Sequence, residues 1–244
     1  MRLQELREQV WRANVDLVER GLVMGTFGNV SGVDRDAGLF VIKASGVPYH
    51  QLSAEHMVPV SIDTGVAVES RFRPSSDTPT HQALYQAFSC GGIAHTHSDF
   101  ATACAQARAP IRCLGTTHAD YFRGEIPVTR EMTRAEVESD YERNTGLVIV
   151  ETFGNRGLSP EELPGVLVAN HGPFTWGTDA AAAAERAHVI EYVARTNTIA
   201  QLIAPGALTP AAYLVDKHFF RKHGRTAYYG QDGHRAEGAQ RPRE

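Results

Sequence analysis

Leu3, Leu6, Val10, Ala13 and Leu17 are separated by three, four, three and four positions, a spacing that puts them on one stripe of an N-terminal helix. The glycine-punctuated stretch MGTFGNVSGVDRDAG and the apolar run 39–42 read as short strands joined by turns. Residues 57–62 and 67–69, split by Asp63-Thr64-Gly65, predict a hairpin. PSSDTP carries small oxygen-bearing residues and proline, a start signal for a helix over 81–88. A buried strand is expected over 92–97, with Ser98 capping a helix over 100–107. Further along, the pattern predicts a helix over 133–145 and strands over 147–152 and 166–170, the last stopped by His-Gly-Pro. An alanine-rich helix starts from an Asp cap and runs over 179–203, and a final helix covers 210–223. The polar tail 232–244 reads as disordered.

Strands interspersed with helices, some joined by hairpins, point to one α/β domain over residues 1–231. Its mixed sheet would be covered by helices on both faces. Composition adds exclusions. With 244 residues, 42% apolar, and a net charge of -4, the chain has core material but no basic excess, so nucleic acid is not an expected partner. No apolar stretch approaches the ~18 residues of a membrane span, and the charged N-terminus is unlike a signal peptide. Cys90, Cys104 and Cys113 are odd in number and lack a C-x-x-C pair, which favours a reducing, cytoplasmic setting.

His95-Thr96-His97 is the most informative tripeptide. In a strand, residues i and i+2 share a face with Cα atoms roughly 6.5–7 Å apart, close enough for two imidazoles to reach one ion. His171 ends a second apolar strand. Three such nitrogens leave a position open for substrate, the pattern of catalytic zinc. Spacing alone does not bring the three together, and Asp77 reads equally as fourth ligand, orienting neighbour or helix cap. Three segments suit an anion: Gly28-Asn29-Val30-Ser31, Ala44-Ser45-Gly46 beside Lys43, and Ser75-Ser76 at a helix entrance. None forms a nucleotide-binding fingerprint.

Together GNVS, IKASG, PSSDTPTH, AHTHS, GTTHADYF, NHGPF and DKHFFRKHGRTAYYGQ resemble the class II aldolase family, and within it the L-ribulose-5-phosphate 4-epimerase group. The resemblance runs from near the N-terminus to Gln231. It implies a three-layer α/β/α domain with a mixed, largely antiparallel sheet, and a homotetramer with active sites between subunits. It further implies zinc, replaceable by manganese or cobalt, on His95, His97 and His171 with Asp77 in or beside the shell. Gly28, Asn29, Ser45, Gly46, Ser75 and Ser76 become contacts for a sugar phosphate, to which the adjoining Lys43 would add charge. Asp120 and Tyr229 become an acid/base pair, Tyr229 reaching in from a neighbouring subunit, with His218 and Arg221 as assisting neighbours. Asp77, where related fuculose-phosphate aldolases carry Glu, and the TTHADYF segment favour the epimerases. An aldolase acting on another sugar phosphate, or a non-catalytic adducin-like module, are the alternatives.

Chemistry supports a cation. The C4 proton of a 2-ketopentose is not adjacent to the carbonyl, so inversion requires C3–C4 cleavage and re-addition. The resulting enediolate needs a Schiff base or a Lewis acid. Of the three lysines, Lys217 and Lys222 lie in a heavily charged segment, a poor place to depress an amine pKa.

Overall fold

A computed structural model of the chain describes residues 2–223 and 227–229; the expected tail and the last residues of the closing motif lie outside them. The N-terminal stripe forms α1 (Arg2–Glu19), whose Val10, Ala13 and Leu17 are buried. Then come β1 (Asn29–Asp34), β2 (Leu39–Lys43), β3 (Met57–Ser61), α2 (Thr78–Ala87), β4 (Gly92–His95), α3 (Asp99–Gln106) and α4 (Thr116–Ala119). The remainder is α5 (Arg134–Ser139), α6 (Tyr141–Arg156), β5 (Gly165–Leu167), β6 (Pro173–Gly177), α7 (Ala180–Ile203) and α8 (Ala212–Lys222).

The strands form a six-stranded sheet in the order β3-β2-β1-β4-β6-β5, every neighbouring pair antiparallel. A parallel contact occurs as an isolated bridge between Val128 and Leu167. Alternation along the strands sorts the layers. Val30, Val41, Met57 and Ala94 face α1 and the alanines of α7, while Phe40, Val58, Ile93 and Trp176 join Leu84 of α2, Phe88 just after it, and Ile149 and Phe153 of α6. Small residues let α7 lie close: a Cβ on Gly92 would meet backbone of Asp179 and Ala180 at 2.3 to 2.5 Å. The buried Asn14 of α1 bonds Val30 through both backbone groups, accepting at 2.9 Å and donating at 3.0 Å. Those groups lie just beyond the β1–β2 ladder, which begins at Ser31, so Asn14 completes the edge.

Several expectations need correction. The run 147–152 is helical, inside α6; a short apolar run is ambiguous by periodicity, and this one packs with α6 on α2. The helix expected over 133–145 divides at Asp140, which ends α5 and precedes α6. Ser98 stands at the start of α3 but makes no side-chain cap. The carboxylate of Glu191 takes that role from α7, accepting from the N–H of Phe100 and Ala101 at 2.9 Å each. The strand expected over 166–170 is β5, which ends at Leu167, ahead of His-Gly-Pro as expected, but a further strand missing from the sequence reading, β6, opens at Pro173, a position where a strand needs no N–H from it. The second arm of the 57–69 hairpin is reduced to a bridge between Val60 and Ala67. Asp179 caps α7 as expected, its Oδ1 accepting from Ala182 N–H at 2.7 Å.

Candidate metal and anion site

His95 closes β4, which pairs with β6 so that His95 lies opposite Phe174. This register carries the β5–β6 turn to the end of β4. Asn170 adopts φ +62 in that turn, and Val168 and Gly172 close it with a 2.9 Å hydrogen bond. His171 therefore belongs to the turn and His97 to the segment after β4, rather than to strand ends as the i, i+2 argument assumed. Gly172 allows the approach: a Cβ there would stand 2.7 Å from the carbonyl oxygen of Thr96, inside any tolerable contact.

The ligand atoms of His95, His97 and His171 lie within 4.8 Å of one another. His95 Nε2 and His97 Nε2 are 3.1 Å apart, against about 3.3 Å for two imidazoles on one tetrahedral zinc. His95 donates Nδ1–H to the Pro173 carbonyl at 2.9 Å, which fixes the tautomer and turns the Nε2 lone pair towards its partners. The ring also stacks on Phe174 with centroids 4.1 Å apart. Burial, then His95 and His97, push the His171 pKa down to about 3 against the opposing pull of Asp77. Burial and His95 likewise lower His97, again opposed by Asp77. Three imidazoles with converging ring nitrogens fit a borderline-soft divalent cation.

The three histidines line a cavity of about 320 Å³ with Gly28, Asn29, Lys43, Ser45, Gly46, Ser75, Ser76 and Asp77. Two loops are sewn together at its wall. Ala44 bridges Pro74, Ser45 donates to the Arg73 carbonyl, and Ser75 to that of Lys43, both at 2.9 Å. Gly28 and Gly46 take φ +79 and +72, a region open to glycine. A Cβ on Gly28 would also meet Val23 at 2.7 Å and the His95 carbonyl at 3.0 Å.

Lys43 is only 3% exposed and has no carboxylate within ion-pair distance among the described residues. Its ammonium is 3.4 Å from the Ala44 carbonyl and 4.9 Å from the Tyr49 ring centroid. Burial lowers its pKa while Asp77 opposes. A buried ammonium so sparsely partnered at a cavity wall suits an anionic ligand.

Asp77 stands at the N-terminal boundary of α2 but makes no cap bond. Its Oδ2 instead accepts from Asn29 Nδ2 at 2.5 Å. Burial alone would raise its pKa; His95, His81, the Asn29 amide and His171 together hold it below the usual carboxylate value. Its carboxylate is not among the three clustered ligand atoms.

Asp120 and Tyr229 do not line this cavity. Asp120 follows α4 and is gripped by α8: Arg221 donates to both its oxygens at 2.8 and 2.6 Å, and His218 Nδ1 lies 3.1 Å from Oδ1. The Tyr229 ring, 50% exposed, lies 4.3 Å from the Arg221 guanidinium, so the two form one group. Sequence reasoning missed Tyr141 and Glu142, which also line the cavity; the Tyr141 hydroxyl is 3.3 Å from His171 Nδ1. A correct helix start at Tyr141 would have exposed them.

The profile of the Class II Aldolase and Adducin N-terminal domain family matches residues 8–198. The chain is 54% identical over 230 residues to an L-ribulose-5-phosphate 4-epimerase UlaF of Salmonella paratyphi A, covering 94% of this chain and 100% of that one. It is 55% identical over 231 residues to the UlaF of Salmonella paratyphi B, with the same coverage. Among solved structures, an L-fuculose 1-phosphate aldolase superposes with a TM-score of 0.74 at 23% identity, over 89% of this chain and 95% of that one.

Proposed function

The chain belongs to the Class II Aldolase and Adducin N-terminal domain family, and from that premise we propose that it is a cation-dependent L-ribulose-5-phosphate 4-epimerase producing D-xylulose 5-phosphate. The observation that carries the chemistry is the convergence, in one cavity, of three imidazoles and two Ser/Gly loops beside the buried Lys43. The identity of 54% to full-length epimerases supports the substrate.

In this reading Ser45, Gly46, Ser75, Ser76, Asn29 and Lys43 hold the C5 phosphate, helped by the N-terminus of α2. His95, His97 and His171 would hold zinc, or manganese or cobalt in its place, which as a Lewis acid supplies charge stabilisation to the oxygens of an enediolate. Cleavage begins when a base takes the C4 hydroxyl proton. The C3–C4 bond breaks, and its electrons pass into the three-carbon fragment as the enediolate of dihydroxyacetone. Glycolaldehyde phosphate remains anchored by its phosphate while its aldehyde turns. C3 then attacks the opposite face, and a second group returns a proton to the C4 oxygen.

Asp120 and Tyr229 are the proposed proton carriers. Since neither lines the cavity of its own chain, a second copy would deliver them together, within a homotetramer. Arg221, donating to both oxygens of Asp120, aims its carboxylate. The working unit is residues 1–231 acting on a small sugar phosphate, and the expected setting is the cytoplasm; among the described residues no helix is long and apolar enough to cross a membrane.

The test is incubation of zinc-loaded protein with L-ribulose 5-phosphate, followed by carbon NMR. Chelator-sensitive formation of D-xylulose 5-phosphate supports the proposal. Accumulating dihydroxyacetone and glycolaldehyde phosphate would move the chain to the aldolases, and an unchanged substrate would refute the epimerase assignment.

A further inference from the structure

A polar ladder joins β1 to α2 behind the cavity. Asn29 and Ser31 lie two residues apart on β1 and share a face. Asp77, His81 and Tyr85 follow at four-residue steps and share a face of α2. Asn29 Nδ2 donates to Asp77, and Ser31 Oγ meets both His81 Nδ1 and the Tyr85 hydroxyl at 2.7 Å. Asn29 is also the direct cross-strand partner of His95. The rungs thus set the register of α2 along β1, and with it the distance between Asp77 and the first histidine of the trio.

Ser31, His81 and Tyr85 are buried and do not line the cavity. Ser31 Oγ thus joins the Tyr85 hydroxyl to the His81 ring, and each hydroxyl is able to donate or accept. His81 Nε2 is fully buried without a hydrogen-bond partner among the described residues. The strongest charge acting on that ring is the Asp77 carboxylate. Tyr85 shares the apolar cluster of Phe40, Leu84 and Ile93, a setting where an apolar side chain of similar volume would serve stability as well. A directional network gives orientation that apolar packing does not.

We propose that Ser31, His81 and Tyr85 are positioning residues, whose ladder places Asp77 beside the histidine trio and thereby sets the trio's affinity for its cation. The inference rests on reading that trio as a metal centre.

The experiment measures zinc affinity of the full chain by competition with a chromophoric chelator, alongside thermal unfolding of the metal-free forms. The proteins are wild type, Ser31→Ala, Tyr85→Phe, Asp77→Asn and the Ser31→Ala/Asp77→Asn pair. Ser31→Ala should weaken zinc binding about tenfold, and Tyr85→Phe should shift it in the same direction. The paired variant should bind no more weakly than Asp77→Asn alone, because the ladder acts through Asp77. Unchanged zinc affinity in folded Ser31→Ala or Tyr85→Phe would overturn the inference while leaving the metal centre in place. Additive losses in the pair would overturn it too, marking the ladder as general support. Should Ser31→Ala fail to fold, Tyr85→Phe, which keeps the ring and its packing, decides the matter. Wild type with no zinc affinity would refute the metal centre, and this inference with it.

Discussion

At Gly172 the absence of a Cβ decides whether three histidines can meet. The Thr96 carbonyl would lie 2.7 Å from that atom, and neither backbone segment can yield without moving His171 or His97. Gly172→Ala should weaken zinc binding at least tenfold while leaving the metal-free fold cooperative, measured by chelator competition and urea unfolding. Lys43 makes a different kind of contribution. Its ammonium is buried and lacks an ion-pair partner among the described residues, so a phosphate dianion would be its counter-charge. Lys43→Met should raise KM for the pentulose phosphate about tenfold or more with a smaller change in kcat, as expected for a contact made equally in ground and transition states. Steady-state kinetics with the phosphorylated sugar check this. Residue identities at this site were legible because GNVS, IKASG, PSSDTPTH and AHTHS each put distinctive chemistry on one short segment. Tyr141 and Glu142 were missed because the helix expected over 133–145 ran through Asp140, which hid the start of α6 at the cavity wall.

At the scale of elements, the alanine-rich α7 and the amphipathic α1 were readable from periodicity and caps. Residues 147–152 were not: Leu147-Val148-Ile149-Val150 reads equally as strand or buried helix, and only packing against α2 chooses. β6 was hidden because Gly172-Pro173 looks like a terminator, whereas a proline is tolerated at the first position of a strand. The error mattered, since β6 is what draws His171 to β4. Buried histidines inside elements also carry a pH signature. Burial pushes the His118 pKa down to about 4 from its ordinary 6.5, despite the opposing hydrogen bond to the Gly124 carbonyl. The unfolded chain therefore binds this proton more readily than the native one. Stability is full above about 6.5 and falls as pH drops towards about 4, by up to about 1.4 kcal/mol per pH unit for one such group. His118→Gln should flatten that slope relative to wild type, measured by urea unfolding of metal-free protein across the range. An unchanged slope would place the acid sensitivity elsewhere.

For the whole molecule, the geometry divides the chemistry between two places on one chain. The residues proposed to hold the cation and the phosphate gather in the cavity at the end of β4, while Asp120, Arg221 and Tyr229 gather where α4 meets α8. Association of copies would join them, which yields a complementation prediction. His97→Ala and Tyr229→Phe proteins should each be nearly inactive, yet mixed oligomers assembled by co-expression should regain a statistical fraction of wild-type turnover. No recovery in confirmed mixed oligomers would mean that both groups serve one chain's own cavity. The central claim, inversion at C4 by breaking and remaking C3–C4, has its most direct test in the fate of the C4 hydrogen. L-ribulose 5-phosphate converted by zinc-loaded protein in deuterium oxide should give D-xylulose 5-phosphate with no deuterium at C3 or C4, because no carbon-bound proton leaves during retro-aldol cleavage. Deuterium at C4 in that product would contradict the account.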